Sequence, residues 1–510
     1  MKAKRIILFF LLLSALIPTP LVKADPGWLT GWDKRVKITI DSGDVDTALT
    51  DFPILIYLSD SSGINGEDIT FVFDEVGANS LKIAVTLSDG TTECYTEIEK
   101  WDLGNEKAWL WTKISAISNV TDTEVYLYYD NDQADNTDKV GPPNSVPAEN
   151  VWDSGFKFVS HMRDDPDNTA IRDSTTNNKD GTKLAANQPV LRVAGIISED
   201  QDFDGNDDRI GIPNTIMSAD SPFSLECWFN FDGVNSHVEN WQILLDMRGQ
   251  YQTWITINEK DDPTRPGQVG FNIYDGVDTV ALFSIELNYE TDYYVMATHD
   301  AVNDMRLYIN GVLVDGPDAQ DDPASTEQQN RIGKDYGADT RGNFHGKIDE
   351  VRISQTGRLG SWSKATYETG RDHILDFGSE EEPPKLEAPN KLFGAGFNAS
   401  VPNVILRWAS NLTDINFFEV QNSTDKISWD YLGQSTTNQY IDLQVTNGLE
   451  RFYRIRACNY TDGAWDNSTF TDINFEKVYF IMDGGGLFPG LAIGISLLII
   501  GAIYAVEKRR

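Results

Sequence analysis

Cysteine is scarce in this chain of 510 residues, which contains Cys94, Cys227 and Cys458 and no others. Three cysteines that are far apart and odd in number exclude a disulfide-stapled scaffold and a thiolate zinc cluster, because both need paired or closely spaced cysteines. Histidine is also rare, and the sequence has neither a Gly-x-Ser-x-Gly nucleophile motif nor a His-Glu-x-x-His metal motif. The common signatures of hydrolases are therefore missing.

Basic residues are also few, since 42 Lys and Arg stand against 79 Asp and Glu and give a net charge of −37. Phosphate recognition needs a basic footprint, so nucleic acid is excluded as a partner. The hydrophobic share of 40% is ordinary for a folded protein, which excludes wholesale disorder. A single hydrophobic core stops growing near ~250–300 residues, so we expect about three domains.

Apolar segments at the two ends predict where the protein resides. Residues 1–24 combine a basic start with the apolar run Ile6–Ile17, which is typical of a cleaved secretory signal peptide. Leu487–Val506 is uncharged and long enough as a helix to span ~30 Å of hydrocarbon, and residues 507–510 follow as a basic cytoplasmic tail. We therefore predict a type I single-pass protein at the cell surface, with the membrane as a partner. The segment around Phe488-Pro489-Gly490 also resembles a sorting tail that a transpeptidase-like enzyme removes, which would replace the span with another anchor.

Short apolar strands and frequent turn residues fill the region between these segments. Ile54–Leu58, Val125–Tyr129 and Met305–Ile309 are rich in β-branched or aromatic residues and are bounded by turn formers. Amphipathic helical patterns are nearly absent, and one short candidate helix runs from Ser361 to Thr369. This pattern favours sandwiches over a parallel α/β sheet. The predicted fold class is all-β, with tandem β-sandwiches and one C-terminal transmembrane helix.

The middle of the chain, residues 153–378, carries four motifs in a fixed order. They are Asp202–Ile210, Phe223–Phe229, Leu307–Val314 and Phe344–Ile353. In this order they resemble the laminin-G-like, concanavalin A-type jelly roll. Independently, Asn310-Gly311 between two apolar strands predicts a β-hairpin, because a type I′ turn needs positive φ at both positions.

Residues 25–152 resemble an uncharacterised β domain that often precedes this jelly roll in prokaryotic, especially archaeal, surface proteins. The matching pieces include Trp32–Ile38, Asp51–Ile56 and Leu127–Asn131. No activity is established for that family, so the resemblance implies no chemistry.

The remaining part of the chain predicts a linker and a third sandwich. Residues 379–386 are acidic and contain a proline pair, which indicates an extended linker. Residues 387–476 resemble a fibronectin type III domain. That resemblance implies that Trp408 fills the core and that Tyr453 makes the corner hydrogen bond.

Six Asn-x-Ser/Thr sequons predict N-glycosylation. They begin at Asn119, Asn398, Asn411, Asn422, Asn459 and Asn467. Five of the six fall between Asn398 and Asn467, which indicates a sugar-coated stalk.

Paired carboxylates are the feature that a glycoside hydrolase would need. Glu97 and Glu99 are two apart, so on a strand they share a face and could supply such a pair. Among 79 acidic residues an accidental pair is the ordinary explanation, and the Glu-x-Asp-x-Glu signature of jelly-roll glucanases is missing. Asp349 and Glu350 are adjacent and should point to opposite faces. We therefore predict that the protein is not an enzyme.

Calcium is the one cofactor that we expect, because jelly rolls of this type often bind one structural ion where their first and last strands meet. The acids at the matching turns are Asp173, Asp180, Asp204, Asp207, Asp208 and Asp349. Calcium takes six to eight oxygen ligands, which carboxylates and carbonyls supply. The alternative is that these turn aspartates only accept hydrogen bonds from their own backbone.

Aromatic side chains in the jelly roll are the candidates for ligand binding, since glycan faces stack on exposed rings beside polar neighbours. The candidates are Trp241, Tyr251, Trp254, Tyr274 and Tyr336. Most tryptophans of a sandwich lie in its core, so the set indicates a surface and no single residue. We predict a membrane-anchored protein that captures extracellular glycans or cell-envelope proteins, as in adhesion. A structural envelope component is the alternative, and a glycan hydrolase ranks third.

Overall fold

The computed structural model divides into two compact units, one ending at Pro383 and the other beginning at Pro384. It describes residues 27–467 except 193, 218–221, 233–239, 250, 326–328, 338–340, 384–390, 399–400, 410–415, 426, 438, 444–451 and 462–463. Strands make up nearly all of its regular structure. The prediction of an all-β protein is therefore confirmed.

Two small sheets form the N-terminal sandwich. Its strands are β1 (Arg35–Ile40), β2 (Leu49–Leu58), β3 (Ile83–Thr86), β4 (Thr96–Asp102), β5 (Lys107–Ile117), β6 (Thr123–Tyr129) and β7 (Val140–Gly141). Two short helices, α1 (Phe71–Val76) and α2 (Val146–Glu149), and a 3-10 turn at Ser42–Asp44 connect them. One sheet has the order β2-β5-β4-β7, and the other contains β1-β6-β3.

Two eight-stranded sheets form the jelly roll. Their strands are β8 (Phe156–Ser160), β9 (Ala170–Ile171), β10 (Gly181–Lys183), β11 (Val190–Arg192), β12 (Asp200–Asp204), β13 (Ile210–Ile212), β14 (Phe223–Phe231), β15 (Trp241–Asp246), β16 (Thr253–Asn258), β17 (Val269–Tyr274), β18 (Thr279–Phe283), β19 (Asp292–His299), β20 (Asp304–Ile309), β21 (Val312–Ala319), β22 (Asn330–Ile332) and β23 (His345–Ser354). The inner sheet is β11-β12-β23-β14-β19-β20-β21, with β8 paired to β23. The outer sheet is β18-β17-β16-β15-β22-β13-β10-β9.

The predicted hairpin lies between β20 and β21. Asn310 and Gly311 have φ values of 50° and 78°, so both occupy the left-handed region that a type I′ turn requires. After β23 the chain forms helix α3 (Gly360–Gly370) and strand β24 (Leu375–Glu381). The helix extends the predicted Ser361–Thr369 by one residue at each end.

The N-terminal sandwich and the jelly roll share one core. Alternation along β14 and β19 turns Trp228 and Tyr294 away from the jelly-roll interior, and both belong to the same apolar cluster as Trp111 of β5. Phe52 of β2 meets Trp362 of α3 edge to face, with ring centroids 4.8 Å apart. The N-terminal sandwich therefore covers the inner sheet and α3.

Strand β24 follows the jelly roll in the chain but completes a sheet of the N-terminal sandwich. It pairs antiparallel with β1, so that Ile38 lies opposite Phe377. Arg35 Nε donates to Glu381 Oε2 at 2.7 Å. The predicted linker 379–386 therefore begins inside a strand, because its first acidic side chains find basic and hydroxyl partners in the sandwich.

The second unit is a smaller sandwich. Its strands are β25 (Lys391–Asn398), β26 (Val401–Ala409), β27 (Phe417–Ser423), β28 (Asp430–Ser435), β29 (Gln439–Asp442), β30 (Phe452–Thr461) and β31 (Ala464–Asn467). They form the sheets β25-β26-β29 and β28-β27-β30-β31. Trp408 packs in the core against Phe418, and the Tyr453 hydroxyl donates to Asp442 Oδ2 at 2.9 Å. The fibronectin type III resemblance stays a prediction.

The predicted localisation is wrong. Within the described part of the chain, no helix is both long and apolar enough to cross a bilayer. This finding contradicts a type I single-pass membrane protein at the cell surface. The segments behind that prediction, residues 1–24, 487–506 and 507–510, lie outside the described residues.

Candidate functional site

A row of side chains crosses the face of the outer sheet that points away from the jelly-roll core. On β16, Ile255 and Ile257 point into the core, so alternation turns Trp254 and Thr256 to the opposite face. Strand pairing continues this face across the sheet. The row consists of one residue from each of seven neighbouring strands, each paired with the next: Thr182, Gly211, Arg331, Asp246, Trp254, Asn272 and Ala281.

Arg248 lies beside this row between two aromatic rings. Its guanidinium carbon is 4.5 Å from the ring centre of Trp254 and 4.5 Å from that of Tyr336. Asp246 accepts hydrogen bonds from Arg248 Nε at 2.8 Å and from Nη2 at 2.7 Å, and Asp335 accepts one from Nη2 at 3.0 Å. The planar fork of arginine suits this two-point pairing. The two rings are therefore positioned by one fixed cation.

Burial and ion pairing set the charge states of Asp246 and Arg248. Burial raises the pKa of Asp246, and the hydrogen bonds from Arg248 act in the opposite direction. For Arg248, burial lowers the pKa, but pairing with Asp246 and Asp335 outweighs burial and the pKa is raised. Arg248 is therefore a permanent cation that orients its neighbours.

A cleft of about 350 Å³ lies beside the aromatic pair along the same row. Its lining includes Thr182, Gly211 and Arg331. Arg331 connects the two regions, because its Nη1 donates to the main-chain carbonyl of Asp335 at 2.8 Å. Neighbouring strands are ~4.8 Å apart, so Gly211 and Trp254 are separated by about 14 Å, or three strand spacings. The candidate site is therefore elongated, with a polar cleft at one side and aromatic rings at the other.

Four of the five predicted aromatic residues lie on this face. Trp241 is one of them, because it pairs with Asn258, which faces the same way as Thr256 and Trp254. Trp254 and Tyr336 flank Arg248. Tyr274 is half-buried on β17, and its hydroxyl donates to the carbonyl of Gly276 at 2.9 Å. Trp254 and Tyr274 are on neighbouring strands, so their rings lie on one face of the outer sheet. Ligand binding by these rings stays a prediction.

Trp241 and Tyr251 are both restricted by packing, although only Tyr251 lies in the core. Trp241 is half-buried at the start of β15, where a Cβ placed on Gly342 would lie 2.5 Å from its ring. Tyr251 is 7% exposed and belongs to the jelly-roll core. The prediction of ligand binding by Tyr251 is corrected, because its ring is enclosed by apolar neighbours.

Sequence reasoning missed the polar half of this centre. Asp246 and Arg248 are two residues apart where β15 ends, and Trp254 follows shortly after, which is a weak local signal. Asp335 and Arg331 come from β22 and its following loop, and Asp335 is 87 positions from Arg248. Only the strand order of the outer sheet brings them together.

Half of the predicted calcium ligands do not converge. Asp173 is buried and accepts hydrogen bonds from three backbone amides at 2.8–3.1 Å, as a turn aspartate does. Asp180 accepts from the Asp173 amide at 3.0 Å and from Arg172 Nη1 at 2.8 Å. Asp349 is a buried residue of β23 in the inner sheet, and it accepts a hydrogen bond from the Ile197 amide at 2.7 Å. The carboxylates of these three predicted ligands therefore accept hydrogen bonds from the protein itself.

The other three acids do form a cluster. Asp204, Asp207 and Asp208 offer carboxylate oxygens that lie within 4.8 Å of one another. The same oxygens also serve the turn, since Asp208 accepts from the Asp204 amide and Asp204 from the Asn206 amide, both at 2.8 Å. Burial raises the pKa of Asp208 to about 6. Calcium stays a prediction, now confined to this turn.

The predicted glycosylation sites differ in accessibility. Asn119 is exposed in the turn before β6. Asn422 is only 7% exposed on β27, so the folded protein does not present its side-chain amide. The structure therefore argues against the predicted glycosylation of Asn422. Asn398, Asn459 and Asn467 lie in β25, β30 and β31, and Asn411 lies outside the described residues.

Two sequence families match parts of the chain. The concanavalin A-like lectin/glucanases superfamily, as Laminin_G_3, matches residues 204–359, and a domain of unknown function, DUF2341, matches residues 65–142. The jelly roll and the uncharacterised N-terminal domain predicted from the sequence are thereby confirmed. Archaeal origin stays a prediction.

Solved structures show only remote likeness. Domain 4 of AbnA, a GH43 extracellular arabinanase from Geobacillus stearothermophilus in complex with arabinotriose, is 17% identical, with a TM-score of 0.31, and the match covers 41% of this chain and 96% of that domain. The binding domain of botulinum neurotoxin serotype D is 12% identical, with a TM-score of 0.33 and coverage of 61% and 73%. Such values carry no argument about function. No curated protein matches the chain.

Proposed function

We propose that the protein binds carbohydrate on the outer sheet, at the aromatic pair Trp254 and Tyr336 and the adjoining cleft. The observation that carries this proposal is the fixed stack of Arg248 between the two rings, beside a polar cleft of about 350 Å³. Aromatic faces next to a few positioned polar groups are what a glycan ring requires, because its faces are apolar and its rim is hydroxylated.

The shape of the site favours a chain of sugars over a single sugar. The row from Thr182 to Trp254 runs over five strands, with hydroxyl, guanidinium and carboxylate groups along it. A ligand laid along this row could stack near Trp254 and reach Arg331 in the cleft. An oligosaccharide or a polysaccharide segment is therefore the ligand class that we propose.

Binding without catalysis is part of the same proposal. The carboxylates of Asp246 and Asp335 are both paired with Arg248, which supports a role in holding the rings. Glu97 and Glu99, the pair that the sequence analysis considered for a hydrolase, are 0% and 1% exposed. A general acid and base must reach the substrate, so burial of this pair supports a binding protein.

A glycan array probed with the full purified chain tests the proposal. We expect binding to a restricted class of oligosaccharides, and we expect it to persist in a calcium chelator because the carboxylate of Asp246 in the row is paired with Arg248. Silence on every glycan would contradict the proposal. Binding that disappears with the chelator would move the site to the Asp204 turn.

The second unit is proposed to be a fibronectin type III-like module. The buried Trp408 and the bond from the Tyr453 hydroxyl to Asp442 support this assignment. The tyrosine hydroxyl donates to a side chain here, whereas the corner tyrosine of antibody-like sandwiches bonds to the backbone. We assign no ligand to this unit.

A further inference from the structure

A second cluster of chemically active side chains lies where the N-terminal sandwich meets the jelly roll. Glu99 comes from β4, His161 directly follows β8 and Glu350 comes from β23. All three are at most 3% exposed, and they offer ligand atoms within 4.8 Å of one another. We propose that Glu99, His161 and Glu350 bind one divalent transition-metal ion, with Zn²⁺ as the reference ion.

The distances suit a small ion after a modest adjustment. His161 Nδ1 is 2.6 Å from Glu350 Oε1 and 3.6 Å from Glu99 Oε2. Ligands about 2.1 Å from a tetrahedral zinc are about 3.4 Å from one another. An ion would therefore replace the proton between His161 and Glu350 and lengthen that contact by about 0.8 Å. The separation from Glu99 already matches.

Each proposed ligand is oriented by a second residue. Trp111 Nε1 donates to Glu99 Oε2 at 2.8 Å, and Arg352 Nη2 donates to Glu350 Oε2 at 2.7 Å. The other imidazole nitrogen of His161, Nε2, is 3.4 Å from Glu97 Oε1, which is an ion-pair distance without hydrogen-bond geometry. A carboxylate behind the imidazole is the usual support of a metal-bound histidine.

Glu97 is itself held in place. Trp152 Nε1 donates to its Oε2 at 2.7 Å, and Ser174 Oγ donates to its Oε1 at 2.6 Å. The support of His161 is therefore rigid and comes from both the N-terminal sandwich and the jelly roll.

An unused buried oxygen points independently to a ligand. Oε1 of Glu99 is buried and has no hydrogen-bond partner within hydrogen-bonding geometry among the described residues. The nearby Ser198 interacts with this carboxylate and also lines a cleft of about 560 Å³. An unpaired carboxylate oxygen in a buried site is costly, and a cation would relieve that cost.

Charge balance supports a divalent ion. When ionised, Glu97, Glu99 and Glu350 bring three negative charges to this buried region. Arg352, stacked 4.4 Å from the ring centre of Trp111, brings one positive charge. The carboxylates therefore outnumber the fixed positive charge, and a divalent ion would reduce the excess, since isolated buried charge is strongly disfavoured.

The donor set selects the class of ion. One imidazole nitrogen with two carboxylates suits zinc, iron or manganese, whereas calcium and magnesium prefer oxygen ligands alone. The fourth position would face Ser198 and the adjoining cleft. This site is separate from the carbohydrate face and does not depend on the proposed function.

Zinc titration of the full chain tests the site. After treatment with a chelator and its removal, isothermal calorimetry with Zn²⁺ should show one tight site per chain. His161→Gln and Glu99→Gln should weaken it by about 100-fold or more, because each removes a ligand. His345→Gln is the matched control, since His345 lies at the other end of β23 beside Asp232, and it should bind as the unaltered chain does.

Two outcomes of the titration overturn the proposal. One is the absence of a tight zinc site in the unaltered chain. The other is zinc binding that both variants retain, which would place the ion on surface carboxylates. If His161→Gln fails to fold, the milder Glu99→Gln decides, together with X-ray absorption of the zinc-loaded unaltered chain. We expect one nitrogen ligand in that spectrum, and a shell of oxygen alone would overturn the assignment.

Discussion

Arg248 joins three chemical roles in one side chain, because it is stacked on two rings, paired with two carboxylates and placed at the edge of a cleft. Lysine would keep its charge but could not span Asp246 at two points or lie flat between Trp254 and Tyr336. The proposed site therefore depends on the guanidinium as a plane as well as on its charge.

Arg248→Lys should weaken oligosaccharide binding by about tenfold, which corresponds to about 1.4 kcal/mol. The reason is that Trp254 and Tyr336 lose the group that fixes their separation. Calorimetric titration with a glycan identified by the array measures the effect. Arg306→Lys is the control, since Arg306 pairs with Asp300 and Asp304 on the inner sheet. Equal affinities for the two variants would contradict the role of Arg248.

Asp372 is a residue whose ionisation opposes folding. It follows α3 and accepts from the Gly63 amide at 2.8 Å, and burial raises its pKa to about 7. An unfolded aspartate ionises near ~3.9, so the folded state holds this proton more tightly. The resulting stabilisation is complete below pH ~4 and is lost as the pH rises through ~7.

Asp372→Asn should therefore raise the free energy of unfolding at pH 8, by about 1–3 kcal/mol after discounting for partial exposure. Asparagine keeps an acceptor for the Gly63 amide and tolerates the positive φ of 54° at this position. Chemical denaturation at pH 4 and pH 8 measures the effect. The two proteins should converge at pH 4, and an equal difference at both values would show that ionisation of Asp372 is not the cause.

Residue types alone selected aromatic residues of the proposed carbohydrate face but none of its polar residues. Trp254 and Tyr336 could be selected as aromatic residues near loops, but Tyr251 has the same signature and lies in the core. Asp173 could be placed at a turn, yet whether it meets an ion or three amides depends on the loop path. Side-chain type limits what a residue can do, and packing decides which of these things it does.

At the level of elements, the sequence predicted correctly those elements whose signal lies within a few neighbouring residues. The Asn310-Gly311 hairpin follows from positive φ at two positions, and α3 follows from a helical pattern within one residue at each end. Strand β24 was missed as a strand over 379–381, because its acidic composition resembles a linker. Its partner β1 is more than 300 positions away, so nothing local indicates the pairing.

Phe377→Ala should lower the free energy of unfolding by about 3–5 kcal/mol, because its ring is buried in the core of the N-terminal sandwich. Ser379→Ala, an exposed change on the same strand, is the control and should be nearly neutral. Denaturant unfolding of the full chain measures both. A Phe377→Ala chain as stable as the control would contradict the pairing of β24 with β1.

At the level of the whole molecule, two sequence families share one apolar core. Trp228 and Tyr294 of the jelly roll pack with Trp111 of the N-terminal sandwich, so the core of the N-terminal sandwich is completed by the inner sheet. The jelly roll has a second core between its own two sheets. The sequence predicted two separate sandwiches, because each has its own strand pattern. Which face of the inner sheet would be covered depends on contacts between distant segments.

The shared core predicts that residues 27–383 unfold together. In hydrogen exchange followed by mass spectrometry across a denaturant series, β5 and β16 should lose protection at the same denaturant concentration. They belong to different sandwiches, so the comparison is direct. Loss of protection in β5 while β16 stays protected would show that the N-terminal sandwich is an independent domain.

The proposed carbohydrate binding on the outer sheet depends above all on stacking against Trp254, and a titration measures that contribution. Calorimetry with a glycan identified by the array should give at least about tenfold weaker binding to Trp254→Ala than to the unaltered chain, since the variant removes a stacking ring. Trp429→Ala is the matched control, because Trp429 also stacks with an arginine, Arg454, in the second unit. We predict unchanged affinity for that control. Full affinity in Trp254→Ala would contradict carbohydrate binding on this face of the outer sheet.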